Sequence, residues 1–151
     1  MPTTRRIANP IAVRRFLVVD EPGREVVLTI GKPRLDQSSR SPGTWFCSVL
    51  IEGIPDERRR RVHGVDAVQA LQLAMEYARR ALDASGVAVT LFEHGEPGDT
   101  GLPFAAPIGY GFYFQRRLEA YMEREKLEMA TTLSSVLQDR ARMRAARGPS
   151  R

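Results

Sequence analysis

The chain has 151 residues, 42% apolar and 27% charged. That is ordinary for one domain with a true core, and it excludes a wholly disordered chain. No run of about 18 apolar residues occurs, so no membrane-spanning helix is expected, and no apolar signal core follows the basic start Met1-Pro2-Thr3-Thr4-Arg5-Arg6. The net charge of +5 is local. After Asp139 come Arg140, Arg142, Arg144, Arg147 and Arg151 with no acid, while residues 1–139 hold 18 basic and 18 acidic side chains.

Residues 1–10 are polar, contain two prolines and read as a flexible arm. Ile11 to Val19 suits a strand. Glu21-Pro22-Gly23-Arg24 is a turn signal, and Glu25 to Lys32 alternates, with Val26, Leu28 and Ile30 on one face. The two runs form a hairpin. Pro33 to Gly43 lacks periodicity and reads as an exposed loop. From Thr44 to Ile54 a strand follows, with Trp45, Cys47, Val49 and Ile51 on the core face. Its other face carries Phe46, Ser48, Leu50 and Glu52, too apolar to be wholly wet, so a partner or the C-terminal segment is expected to cover part of it.

Arg58 to Val65 reads as a short basic strand. Asp66 is placed as an N-cap. Val68, Leu71, Met75, Ala78 and Leu82 then recur at helical spacing, and Ser85-Gly86 ends the helix. Val87 to Phe92 is a further strand, and Glu93 to Pro107 a loop rich in Gly and Pro. Gly109 and Gly111 delay the last helix to about Phe112. Its apolar positions Leu118, Met122, Met129, Leu133 and Val136 form a stripe that Tyr121 and Leu137 widen. Continuous to Arg147, this helix would be roughly 50 Å long. It must therefore break near Thr131-Thr132 or Ser134-Ser135, or project. The fold class is α+β: an antiparallel sheet of four to five strands, one amphipathic helix packed on one face, and a long C-terminal helix. The divisions are an arm (1–10), an α+β domain (11–104) and a helical extension with a basic tail (105–151).

Four groups of residues bear on function. Arg58, Arg59, Arg60 and Arg61 could bind phosphate or an acidic protein. The plainer reading is an edge strand protected by charge, and alternation keeps four consecutive arginines from forming one patch. Arg140, Arg142, Arg144 and Arg147 are nucleic-acid candidates through phosphate neutralisation, yet no aromatic interleaves them and cations also suit a helix C-terminus. His63 and His94 lack close ligand spacing and would need Glu93, Glu96 or Asp66 to converge on them. The single cysteine, Cys47, sits in an apolar run and reads as core, which fits a reducing cytoplasm. The Gly95 to Gly101 loop lacks the P-loop ending and reads as structural. The aromatics Tyr110, Phe112, Tyr113 and Phe114 read as a seat for the last helix or as a docking patch.

Trp45-Phe46-Cys47, Ile51-Glu52-Gly53, Val62-His63-Gly64-Val65-Asp66-Ala67-Val68-Gln69-Ala70-Leu71 and Gly101-Leu102-Pro103 together resemble an uncharacterised family of short bacterial proteins, a domain of unknown function. The resemblance covers roughly residues 11–104 and brings no catalytic residues with it. It implies a small strand-helix layout similar to immunity proteins, an analogy of fold alone. The expected function is a non-enzymatic, cytoplasmic protein-interaction module of the immunity-like kind, inhibiting a bacterial toxin or effector, with no cofactor and no metal. Its partner-binding candidates are Phe46, Leu50, Arg58 to Arg61, Leu118, Met122, Met129 and Leu133, for a protein partner or a second copy. The alternative is a nucleic-acid-associated regulatory protein that uses the C-terminal arginines.

Overall fold

The computed structural model describes residues 6–38, 42–104 and 110–146, with side chains in the last helix to 143. Expectations on Met1–Arg5, Gly109, Arg147 and Arg151, and on the Arg144 side chain, lie outside the described residues. The chain divides into two units, Met1–Ala105 and Ala106–Arg151.

The first unit is a six-stranded antiparallel sheet with one helix. Its strands are β1 (Pro10–Val18), β2 (Glu25–Gly31), β3 (Arg34–Leu35), β4 (Trp45–Glu52), β5 (Arg60–Gly64) and β6 (Val89–Thr90), and the helix α1 (Ala67–Ala84) lies between β5 and β6. The predicted hairpin is β1 paired with β2, in a register that sets Phe16 opposite Val26 and Arg14 opposite Leu28. Gly23 takes φ +86° in its turn, and Arg24 bonds back to Glu21.

The expected loop after β2 holds a strand that its composition hides. Lys32 and Pro33 interrupt the ladder, because proline donates no bond. The chain then resumes as β3, which sets Arg34 opposite Phe46 and Leu35 opposite Trp45. β2 and β3 thus follow one another along one side of β4, and β5 pairs along the other. β6 closes the far edge on β1.

Alternation gives the sheet two different faces. Phe16, Val26, Leu28, Ile30, Cys47, Val49 and Ile51 point to α1 and form the core. Burying each of the larger side chains contributes about 1.5–3 kcal/mol. Asp66 caps α1 as expected, its carboxylate accepting from Gln69 N at 2.7 Å. The C-cap is Ser85, and Gly86 beyond it takes φ +73°. The buried stripe, however, is Ala70, Ala74, Ala78 and Leu82, while Val68 is 66% exposed. Of the predicted stripe, Ala78 and Leu82 are buried and Leu71 and Met75 pack partly buried against the core, so the stripe is rotated toward the alanines and only Val68 leaves it. Small residues on the contact line let the helix backbone come close to the sheet. Gly64 shows how close: a Cβ there would lie 2.4 Å from Ala70 N.

Where α1 does not reach, the segment after β6 covers the same face. Gly98 N donates to Val89 O and Leu91 N to Asp99 O. Arg14 Nη1 donates to Thr100 O and Gly101 O at 3.1 and 2.9 Å. Leu102 packs on the core, and Arg79 of α1 stands over the Phe104 ring.

Among its described residues the second unit holds one helix, α2 (Gly111–Ala146), of 36 residues, about 54 Å at 1.5 Å per residue. It does not break at the expected hydroxyl pairs. Thr131 and Thr132 donate back to the carbonyls of Leu127 and Glu128, four residues earlier, which lets them sit within a helix. Among the described residues no helix is long and apolar enough to cross a membrane.

Candidate functional site

The arginine run, whose last two members open β5, divides into two pairs. Arg58 Nε and Arg60 Nη2 lie 2.7 and 2.9 Å from the two oxygens of Asp56. Held by those two guanidiniums, the Asp56 carboxyl stays far below the usual carboxylate range. Arg59 and Arg61 turn the other way, to the face opposite α1. Arg61 stands across from Ser48 and places its guanidinium 4.7 Å above the Phe46 ring. From the other side of β4, Lys32 and Arg34 reach the same face. Among the described residues, no acid forms an ion pair with Lys32, Arg34, Arg59 or Arg61.

These four cations surround a concavity with a floor of small residues. Gly31 is buried, and a Cβ added to it would meet Ile7 Cγ2 at 2.9 Å and Ser48 Cβ at 3.4 Å. Ile7 thus lies against Gly31, and beside them opens a cavity of about 120 Å³, lined by Ile7, Asn9, Gly31, Lys32, Arg34, Phe46, Ser48, Arg59 and Arg61. A wider groove of about 630 Å³ adjoins it, shares Asn9, Lys32, Arg34, Phe46 and Arg61, and continues past Pro33, Leu35, Asp36, Gln37 and Ser38. Asn9 is fixed there by backbone pairing, since Lys32 N donates to Asn9 O at 2.9 Å. The last residues of the expected arm therefore lie along the sheet.

The carboxylate nearest these cations is already engaged. Asp36 is 6% exposed. Its Oδ1 accepts from Ser38 N at 2.8 Å and its Oδ2 lies 2.9 Å from His63 Nε2. The Ser38 amide first, then His63, holds the Asp36 carboxyl down at about 2. His63 also rests against Phe46, ring centroids 5.8 Å apart. Asp36 thus remains ionised and partnered, and it fixes the rim where β3 and β5 flank β4.

Other candidates fall elsewhere. Leu50 is 2% exposed and offers a partner no surface. The expectation that it docks a partner is corrected, because its side chain is already buried within the chain. Phe46 is half-buried. His63 and His94 do not converge: one is on β5 at one edge of the sheet, the other in the loop after β6 at the opposite edge. Cys47 is buried, and burial pushes its thiol pKa up. Among the described residues no group of three His, Cys, Asp or Glu could hold a metal.

On α2, Leu118 is half-buried, while Met122, Met129, Leu133, Val136 and Met143 are exposed. Met122, Met129, Val136 and Met143 recur every seven residues, a period that keeps one seam of a helix facing a neighbour. Arg140 and Arg142 are exposed near its end. Tyr110, Phe112 and Tyr113 are also exposed. Tyr110 packs on Phe114 at 5.0 Å between centroids, and Arg116 lies over Phe112.

Sequence reasoning missed Lys32, Arg34, Asp36 and Ser48. The available signal was alternation: it separates Arg59 and Arg61 from Arg58 and Arg60, and it puts Ser48 beside Phe46. What carried no signal was the return of the chain after Pro33 into a two-residue strand, which brings in Arg34 and Asp36.

A family model described as a domain of unknown function (DUF6968) matches residues 12–104. No curated protein and no solved structure matches the chain.

Proposed function

The chain belongs to the DUF6968 family, and we propose that it is a non-enzymatic protein-interaction module of the bacterial cytoplasm, docking a protein partner or a second copy along α2. One observation carries this reading. A 36-residue helix bears Met122, Met129, Leu133, Val136 and Met143 exposed. Isolated helices of this composition are poorly stable in water, and apolar side chains repeated at seven-residue spacing are stabilised by a neighbouring helix. The sharper form, an immunity-like inhibitor that masks a toxin or effector, adds that the docked partner is inactivated. The buried thiol of Cys47 suits a reducing compartment.

The test is hydrodynamic and biochemical. Full-length chain and a Met122→Lys/Met129→Lys variant are compared by sedimentation and by affinity capture from the source cells. The reading expects self-association or one defined protein partner, lost in the variant. A strictly monomeric chain that retains nothing overturns it.

A second reading rests on Arg140 and Arg142, exposed on α2 with no acid after Asp139. It takes the chain as a nucleic-acid-associated protein. Binding would fall steeply with salt and disappear on removal of residues 140–151. Binding that survives the truncation excludes these arginines as the contact.

A further inference from the structure

We infer that the pocket lined by Ile7, Gly31 and Ser48 is a binding site for a phosphate-bearing small molecule. The inference is independent of α2. It rests on charge, on shape and on what a charged edge strand leaves unexplained.

Protection of the β5 edge accounts for a run of arginines on that strand. It does not account for Arg34 and Lys32, which arrive from the other side of β4. Nor does it account for the neutralisation of one pair by Asp56 while the other pair has no acid among the described residues. Four like charges around one cavity set up a positive potential that draws an anion to it. The adjoining acid, Asp36, stays ionised on Ser38 and His63 and offsets one of the four charges, which leaves the rim net positive.

The chemistry of the rim selects the anion. Three guanidiniums offer forked donors that match phosphate oxygens, and the lysine adds a point charge. Ser48 supplies a hydroxyl and Asn9 an amide, both in the lining. A single carboxylate would leave most of this charge unmatched, whereas a phosphate ester carries nearly two charges and several acceptor oxygens. The cavity of about 120 Å³ is the size of one such group. The groove of about 630 Å³ beside it, with Pro33, Leu35 and Phe46, takes the rest of the molecule, within the ordinary range for ligand pockets. A nucleic-acid strand fits less well, since it needs successive aromatic platforms and Arg61 already covers one face of Phe46.

Calorimetric titration of the full chain with inorganic pyrophosphate and with AMP, at about 150 mM salt, tests the assignment. Saturable one-to-one binding is expected, with Gly31 and Ser48 amide resonances moving in NMR spectra. Arg34→Ser and Arg61→Ser should each weaken binding about ten-fold, the loss of one charge-assisted contact. Arg58→Ser removes the same charge from the Asp56 side and should leave binding unchanged. Ser48→Phe keeps every charge, plugs the floor and should abolish binding, with an otherwise native spectrum as the control for folding. Equal weakening by Arg58→Ser and Arg61→Ser would mean a diffuse field and overturn the site. Titration that never saturates would do the same. Affinity that climbs with oligonucleotide length would replace the small molecule by a nucleic-acid strand.

Discussion

Asp36 Oδ2 lies 2.9 Å from His63 Nε2, across 27 residues of sequence, and joins the strands on the two sides of β4. The Asp36 carboxyl is held at about 2, by the Ser38 amide most and by His63 next. An unfolded aspartate titrates near 3.9. A carboxyl depressed in the folded state stabilises the fold above its unfolded pKa, and that stabilisation fades as pH falls through the folded value. Urea midpoints of wild type and Asp36→Asn should therefore differ by a constant amount at neutral pH and converge between about pH 4 and pH 2. His63→Phe keeps a ring beside Phe46 and leaves Ser38 in place, so in that background the gap should be smaller and the convergence, still starting at about pH 4, should be complete at a higher pH. A gap between wild type and Asp36→Asn that persists unchanged to pH 2 would show that the ionised form contributes nothing.

Gly64 is a place where no side chain fits. A Cβ there would stand 2.4 Å from Ala70 N and 2.8 Å from Ala70 Cα, both backbone atoms of α1. Gly64→Ala must lift the first turn of the helix from β5. The expected cost is about 1–3 kcal/mol, as for overpacked cores, read from urea denaturation. Ala70→Gly in the same background removes a Cβ but not the clashing backbone, so it should not rescue.

Leu50 tests whether the face opposite α1 is structural. Its side chain is 2% exposed yet stands outside the cluster that α1 covers. Leu50→Ala should cost about 2–5 kcal/mol, the range for a buried leucine. The equivalent change at exposed Leu35 should cost well under about 1 kcal/mol. Similar small losses at both positions would mean that the Leu50 side is solvated in solution.

The sequence made the regular parts of this fold readable and hid the pocket. Alternation in Glu25 to Lys32 and Thr44 to Ile54 exposed β2 and β4, because one buried face leaves a period of two. Asp66 and Gly86 marked the ends of α1 through local bonding and backbone freedom. The rotation of α1 was not readable: Ala70, Ala74 and Ala78 add little to a hydropathy stripe, while Val68 adds much, yet close packing on Gly64 favours the alanines. β3 is two residues long, too short for any period. Arg34 and Asp36 acquire their roles only through pairing with β4 and reach across it to Phe46 and His63, and such contacts leave no local trace.

Cys47 offers a probe of how often this core opens. The thiol is fully buried on the α1 side of β4, and burial alone raises its pKa. Both effects act in one direction, since a thiol reagent needs contact and a thiolate. In native buffer, labelling by a disulfide reagent should be slower by orders of magnitude than in urea, and its rate should track the population of open molecules. Gly64→Ala should speed labelling in proportion to its loss of stability, because both sites share the α1 contact. Arg61→Ser, on the opposite face, should leave the rate unchanged. Fast labelling of the folded wild type would place Cys47 at a surface and contradict the packing of α1 on β4.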